Sequence, residues 1–194
     1  GGYEIGNFNP KATLGLSNTF HYKGIYARIL LDGRVGGTIV SGTEMNLAFS
    51  GITEGTEKFR DANSWALGGV DADGNPVSAA INAQQFWQIA SGKRYGLGEF
   101  FAYDATNFRV RELSVGYDIP LSNTNLVKNA RLSLVARNLL WLYRGSSKFD
   151  IPGIGKRKMW FDPDLSNGNG NWQGIEYGAL PSTRSVGLNL QVTF

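Results

Sequence analysis

The chain of 194 residues contains no cysteine, a single histidine and no long hydrophobic run. Without cysteine it has no disulfide, no thiolate metal site and no cysteine nucleophile. No apolar stretch approaches the ~18 residues that a transmembrane helix needs. Charged residues make up only 18% of the sequence, and the chain is poor in the Glu/Lys/Ala/Leu mixture that is typical of helical proteins. These absences favour a chain built from strands and turns.

Glycine and aromatic residues are abundant instead, with 26 Gly and 12% aromatics. The mean hydropathy of −0.21 indicates a soluble protein when it is taken alone. Membrane barrels are also near neutral on that measure, because half of each strand faces a wet interior. The net charge is +3, but Lys and Arg are dispersed apart from Lys156-Arg157-Lys158, which lies in a Gly/Pro-rich loop. We interpret this cluster as a solvated charge run and predict no nucleic-acid partner.

The last residues, Thr183–Phe194, read TRSVGLNLQVTF and alternate strictly between apolar and small polar side chains. A period of two predicts a β-strand with one apolar and one polar face. A strand of about 10 residues rises ~33 Å, and a tilt of ~40° brings that length near the ~25 Å apolar band of an outer-membrane barrel. By itself, the segment favours an ordinary half-buried strand in a soluble sheet, and only the rest of the chain reverses that preference.

Four earlier segments alternate in the same way, at approximately residues 11–22, 25–39, 105–120 and 130–144. The first two are joined by the minimal turn Lys23-Gly24 and should form a hairpin. In the third, the parity changes near Arg111-Glu112, which predicts a β-bulge or an upper part of the strand that stands above the membrane. In the fourth, Asn138 falls on the apolar parity, and the pattern gives no reason for it.

The connections between these strands alternate strictly between short and long. The first long one runs over roughly seventy residues without a regular core pattern, which is too long for a connector in a compact soluble domain. It includes two possible short helices, Thr43–Phe49 and Ala83–Ala90, and a turn at Asp71–Pro76. Because the long loops, at about 40–104 and 145–182, all leave one end of the sheet, the arrangement indicates an antiparallel transmembrane β-barrel.

Several stretches resemble the carboxy-terminal part of the SusC/RagA family of TonB-dependent outer-membrane transporters. They are IGNFNP, GLSNTFHYKG, LLDGRVGG, YDATNFRVRELSVGYDIP, LSLVARNLLWLY, FDP and PSTRSVGLNLQVTF, in the order of the family. The resemblance implies a multi-pass barrel in the outer membrane, of which these are about the last five of 22 strands. It also implies that the two long loops are extracellular, and that the barrel imports a nutrient oligomer, glycan or peptide, beneath a SusD-like surface lipoprotein.

The resemblance also implies parts of the transporter that this sequence does not include. The plug, the TonB box and the first strands of such a transporter would precede Gly1, and the TonB complex would act through them. The opening GGYEIGNFNP has no initiator Met and no secretory signal, so we expect the chain to begin within a longer protein. Five strands are also too few to close a barrel, since about eight is the smallest number that does.

The long loops carry aromatic rings among Asn, Gln, Asp and Arg, a mixture that suits stacking on sugar rings or apolar side chains. The competing interpretation is that these rings pack the loops together or against a lid protein. The substrate-binding residues that we predict are Trp65, Trp87, Trp160, Trp172 and Tyr177. Phe86, Tyr95 and Phe149 are further rings in the same loops. On the polar parity of the strands, we predict that charged residues brace the wall through ion pairs, namely Arg28, Asp32, Arg131 and Arg137.

We predict neither an enzyme nor a cofactor or metal site. His21 is more consistent with a hydrogen-bonding residue of the barrel interior than with a general base. Asp71, Asp73 and Asn75 imitate the start of a calcium loop, but Gly74 is two places too early, so a plain turn is favoured. The resemblance to outer-membrane proteins implies that Phe194, a terminal aromatic on the apolar parity, is an assembly signal. As an aromatic anchor at the membrane interface it should also help to fix the register of the strand.

Two other functions stay open at this point. The first is a passive porin or a surface adhesin whose barrel is not coupled to an energy source. A soluble carbohydrate-binding sandwich is the second, although a soluble sandwich has no reason to place its long loops at one end.

Overall fold

The computed structural model describes residues 3–62, 65–92, 96–121, 127–165 and 170–194. In these residues the chain is mostly strand and turn, which confirms the predicted β-rich class at that general level. The strands are β1 (Ala12–Tyr22), β2 (Ile25–Val35), β3 (Thr38–Ser41), β4 (Trp65–Val70), β5 (Pro76–Ile81), β6 (Ala102–Asp104), β7 (Asn107–Ile119), β8 (Asn129–Arg144), β9 (Ile175–Glu176) and β10 (Ser185–Thr193).

Two short α-helices occur in the described residues, α1 (Gly42–Phe49) and α2 (Ala83–Ala90), together with 3₁₀ turns at Glu54–Thr56 and Gly98–Phe101. None of these helices is long and apolar enough to cross a membrane. The chain divides into two compact units. The sheet unit comprises Pro10–Gly36, Thr106–Arg144 and Pro181–Phe194, and the loop unit comprises Gly1–Asn9, Gly37–Ala105 and Gly145–Leu180.

The sheet unit is one antiparallel sheet with the strand order β1-β2-β7-β8-β10. Each strand pairs with the next of these five strands along the chain, so β1 and β10 form the two outer edges. At one end of the sheet, Arg34 pairs with Asn107 and Asn107 pairs with Arg144. Both long connections, residues 36–106 and 145–184, leave from this end, while the short connections lie at the other.

The turn between β1 and β2 consists of Lys23 and Gly24 alone. Their φ angles are 46° and 79°, the pair of positive values that a type I′ hairpin turn requires. Such a turn matches the right-handed twist of the flanking strands, and it sets their register from Tyr22 opposite Ile25 onward. Glycine at the second position carries no Cβ, so it adopts the left-handed conformation without strain.

Two irregularities of the sheet correspond to the positions where the sequence pattern breaks. The register between β2 and β7 shifts so that Arg111 is an extra residue on β7. Between β7 and β8, two residues of β8, Asn138 and Leu139, lie opposite Arg111. Asn138 has a φ of 49°, and its amide donates a hydrogen bond to the carbonyl of Thr183 at 3.1 Å. Its place on the apolar parity is therefore explained by a β-bulge, where Asn tolerates the left-handed conformation.

The second strand is shorter than the sequence pattern indicated. We predicted a strand over residues 25–39, but β2 ends at Val35 because Gly36 and Gly37 follow with φ angles of 74° and 90°. After this change of direction, β3 belongs to a different sheet, in which it pairs antiparallel with β6 and parallel with β9. Residues 38 and 39 are therefore part of the loop unit rather than the end of a sheet-unit strand.

Helix α2 begins where Asn82 caps it, since the Asn82 side chain accepts a hydrogen bond from the Gln85 amide at 2.7 Å. Its buried residues follow helical spacing, and they are Ala83, Phe86, Trp87 and Ala90. Around this face lie Trp65, Phe101 and Ile151, which are also buried. A second buried cluster consists of Ile39, Tyr103, Ala105, Met159 and Phe161.

The long loops therefore have a core of their own, although their sequence shows no regular core pattern. The core was not recognised because its residues come from short, distant segments, and only α2 has a period that repeats for two turns. Aromatic rings in edge-to-face contact fill much of it: the Trp65 and Phe86 centroids are 4.6 Å apart, and those of Phe86 and Trp87 are 5.2 Å apart. Such contacts add about 0.5–1.5 kcal/mol each beyond the area that they bury.

We predict that Trp87→Ala destabilises the loop unit by about 3–5 kcal/mol, because it removes a ring that is 3% exposed and leaves a cavity. Trp172→Ala is the matched control: Trp172 is 62% exposed, and its loss should change stability by no more than about 0.5 kcal/mol. Hydrogen exchange of the loop-unit amides in the purified full-length protein measures both. Equal protection in the two variants would contradict this assignment of the core.

Candidate functional site

The sheet unit has one face that is apolar from edge to edge. Residues that are paired across an antiparallel sheet point to the same side, so the registers define rows of side chains. One row reads Phe20, Ala27, Val115, Leu134 and Leu188, and the next reads Tyr22, Ile25, Tyr117, Leu132 and Leu190. Most of these side chains are exposed, and Leu188 reaches 77%. An exposed apolar surface of this kind marks a face that is covered by protein or lipid.

The other face of the same sheet is polar and carries ion pairs. The Arg131 Nε donates to the Asp118 Oδ1 at 2.5 Å, between directly opposed residues of β8 and β7. Arg137 pairs with Glu112 at 3.2 Å, again across these two strands. Asp32 accepts hydrogen bonds from Arg109 at 2.9 Å and from Arg111 at 2.6 Å. Asp32, Arg131 and Arg137 thus brace the sheet as predicted, whereas Arg28 makes no ion pair within the described residues.

In the loop unit, residues 156–161 form an extended segment, which we call the edge segment. Its side chains alternate: Arg157, Met159 and Phe161 are directed toward buried surroundings, while Lys156, Lys158 and Trp160 are exposed. The interpretation of Lys156-Arg157-Lys158 as a solvated charge run is therefore wrong for its central residue. The period of two in KRKMWF was the signal that could have shown this.

Arg157 is held by a buried network. Its Nε donates to the Glu44 Oε1 at 2.8 Å, and its Nη2 donates to the carbonyl of Phe100. The other Glu44 oxygen accepts from the Tyr103 hydroxyl at 2.5 Å. Glu44 is only 4% exposed, so a charge-assisted arrangement of this kind is needed to keep its carboxylate inside. Burial and the neighbouring Glu44 carboxylate raise the pKa of Tyr103 well above its usual range.

A second buried carboxylate, Glu176, organises the start of α1. It accepts hydrogen bonds from the Ser41 hydroxyl at 2.7 Å and from the Thr43 hydroxyl at 2.5 Å. Ser41 is also the N-cap of α1, since its oxygen accepts from the Glu44 amide at 3.1 Å. This contact fixes the helix that carries Glu44. Because Ser41 and Glu176 are far apart in the chain, the sequence contained no signal that pairs them.

The network borders a groove with a volume of about 660 Å³. The edge segment lines one side of this groove with Lys156, Lys158 and Trp160. The 3₁₀ turn Glu54–Thr56 and the residues next to it line the groove as well, with Glu54, Glu57 and Lys58 among them. We call this groove the charged groove. It combines an aromatic ring with charged side chains of both signs, and such a combination is suited to binding a polar ligand.

The predicted substrate-binding residues do not form one group. Trp65 and Trp87 are both 3% exposed and belong to the core, where no ligand ring can stack on them. Trp160 lines the charged groove, and its ring meets Phe161 edge-to-face at 5.8 Å. Tyr177 is half exposed and accepts a hydrogen bond from the Asn46 amide at 2.8 Å, while Trp172 is exposed on a turn. Tyr95 lies outside the described residues.

Phe194 and Asp71 are two further positions for which the sequence predicts a role. Phe194 follows β10 and is exposed, and it shares the parity of Val192 and of the apolar face.

Asp71 closes the hairpin of β4 and β5 by accepting hydrogen bonds from the amides of Asp73 and Asn75, each at 2.9 Å. The hydrogen bonds from Asn75 lower the pKa of Asp71. The carboxylate is thus used within the turn, as the interpretation of a plain turn requires.

The sheet unit therefore defines the chain as one with an amphipathic antiparallel sheet, apolar on its exposed face and charged on the other. No protein-family model matches the chain. It is similar to TonB-dependent receptor P3 of Formosa agariphila, with 26% identity over 199 residues that cover 98% of this chain. The chain spans 17% of the length of that curated relative. The resemblance to TonB-dependent receptors is thus supported at a general level, and the SusC/RagA subfamily stays a prediction.

We predict that the Tyr103 hydroxyl makes the loop unit less stable as the pH rises into the alkaline range. Because the folded pKa is raised, the folded state keeps this proton when the unfolded state begins to lose it, near pH ~10. Stability should then fall as the pH rises above that value. In Tyr103→Phe this part of the decline should disappear, which proteolysis of the full-length protein over an alkaline pH series measures. An unchanged decline in the variant would show that other groups cause it.

Proposed function

We propose that this chain is the carboxy-terminal part of the barrel of a SusC-like, TonB-dependent transporter in an outer membrane. The observation that carries the proposal is the apolar face that extends across all five strands of the sheet unit, with both outer edges unpaired within the described residues. Lipid would cover this face, and further barrel strands would continue the edges, since backbone groups cannot stay unpaired in a bilayer. The similarity to TonB-dependent receptor P3 supports the TonB-dependent part of this proposal.

In this proposal the transporter imports a nutrient oligomer, glycan or peptide. The charged face of the sheet would line the interior, and the loop unit would be extracellular. A SusD-like lipoprotein would close over these loops, and the TonB complex would act through a plug elsewhere in the same protein. Trp160, Trp172 and Tyr177 are the predicted binding residues that are exposed and so available to substrate. Phe194, on the apolar parity, would help to anchor and assemble the strand.

The energy-coupled transporter is distinguished from a passive porin or adhesin by two observations. The reading frame upstream of Gly1 should encode a plug of over a hundred residues behind a TonB box, as in such receptors. Uptake of a labelled oligosaccharide or oligopeptide by cells that express the full-length protein should require an active TonB complex. Uptake that persists after TonB is deleted, or an upstream region that encodes only further strands, would support the passive alternative.

We predict that Leu188→Arg impairs assembly, while Asn189→Arg is tolerated far better. Leu188 lies in the apolar row opposite Leu134, and a charge there would face lipid at a cost of about 2–4 kcal/mol near the midplane. Asn189 lies opposite Ser133 on the polar face. Heat-modifiable migration of the full-length protein on gels measures the folded fraction. Equal folding of the two variants would show that the faces are assigned the wrong way round.

A further inference from the structure

The three-stranded sheet of the loop unit is extended on one side by isolated bridges. Tyr103 of β6 forms a bridge with Ser147, and Ser146 forms one with Lys158 of the edge segment. The Ser147 amide donates to the Arg157 carbonyl at 2.8 Å, and the Met159 amide donates to the Gly145 carbonyl at 2.9 Å. The edge segment is therefore the outermost strand on this side of the sheet.

The outer side of the edge segment has free backbone groups. Lys158 and Ser146 form the non-hydrogen-bonded type of antiparallel pair, so the N–H and C=O of Lys158 face away from Ser146. Neither the backbone of Lys156 nor that of Lys158 makes a hydrogen bond within the described part of the chain. An edge of this kind is a template for another strand, and β-strand addition is a recurring way to bind extended peptides.

Lysine on an edge strand is also a common means of preventing aggregation, and that role alone would explain Lys156 and Lys158. The surroundings indicate a binding role in addition, because this edge lies along a groove of about 660 Å³. Glu54 and Glu57, which also line the groove, form no ion pair within the described residues, and neither do Lys156 and Lys158. Charges of both signs thus remain available to a ligand.

Arg157 also lines the charged groove, and one nitrogen of its guanidinium group is buried without a partner among the described residues. Its Nη1 is inaccessible to solvent and has no hydrogen-bond partner among the described residues, although Nε and Nη2 are both bonded. A buried guanidinium nitrogen without a partner is costly, and an acceptor that enters the groove beside it would remove that cost after a small side-chain shift. Peptide carbonyls and carboxylates are acceptors of this kind.

We propose that the charged groove binds an extended oligopeptide that pairs with the edge segment as an additional β-strand. This inference rests on the proposed function, and it assigns oligopeptides as the substrate class. The free N–H and C=O groups of Lys156 and Lys158 bind the peptide backbone. Acidic side chains of the peptide meet the two lysines, basic ones meet Glu54 and Glu57, and Trp160 offers its ring to an apolar side chain. A saccharide lacks the amide donors that repeat at strand spacing.

The backbone contribution is tested by two substitutions at one position. Lys158→Thr removes the charge but keeps the amide N–H and suits an extended strand. Lys158→Pro removes the N–H as well, at an edge position where the fold does not use it. The probe is a fluorescently labelled hexapeptide that contains Glu, Lys and Tyr, and its anisotropy with the purified full-length protein gives Kd. We expect Pro to weaken binding about tenfold more than Thr does.

Peptides with N-methylated amides test the same point on the unmodified protein, so that the test does not depend on how the Pro variant folds. Methylation of alternate amides in one register should abolish strand pairing, whereas methylation in the other register should leave Kd nearly unchanged, because alternate N–H groups point to opposite edges. Equal effects of the two registers, or of Pro and Thr, would overturn strand addition.

The outcomes also separate this inference from the proposed function. TonB-dependent uptake of an oligosaccharide, without measurable binding of the hexapeptide, would overturn the peptide assignment and leave the transporter proposal intact. Hexapeptide binding without any TonB-dependent uptake would contradict the transporter proposal and support the groove as a peptide site. The absence of both would contradict both.

Discussion

The sheet unit depends on the register of its strands. Residues alternate with a period of two, so a slip by one residue would place Leu188 on the polar face and Asn189 on the apolar one. Cross-strand ion pairs such as Arg131 with Asp118 oppose such a slip, because their partners lie directly opposite each other. Partly exposed pairs of this kind contribute only about 0–1 kcal/mol each. Their main effect is thus to select the register rather than to stabilise the sheet.

The loop unit is held together in a different way. Segments that are far apart in the chain meet around buried charged side chains. Removal of one partner from a buried ion pair such as Arg157 with Glu44 costs several kcal/mol, about 3–5 in measured cases, because the other charge stays buried. Glu176 holds the first turn of α1 and thereby places Glu44. The network therefore ties the helix to the edge segment and sets the position of one side of the charged groove.

The sequence allowed the regular parts to be predicted, since strand period, helix period and turn residues are all local signals. The Lys23-Gly24 turn, the parity change at Arg111 and the helix Ala83–Ala90 could all be found in this way. The core of the loop unit could not, because its members come from short segments that meet only in the fold. Trp65 and Trp87 show the consequence: composition does not distinguish a ring that packs from one that binds, and only burial decided it.

If the peptide proposal is right, the edge segment serves both packing and binding. Its inward residues, Arg157, Met159 and Phe161, belong to the network and the second core cluster, so their size and charge are constrained by close packing. Its outward residues, Lys156, Lys158 and Trp160, face the charged groove and bear little of that constraint. Substitution of the outward set changes the chemistry of the groove at a small cost in stability, whereas the inward set keeps the backbone in place. Since free backbone groups bind any peptide sequence alike, selectivity between peptides has to come from these outward side chains and from Glu54 and Glu57.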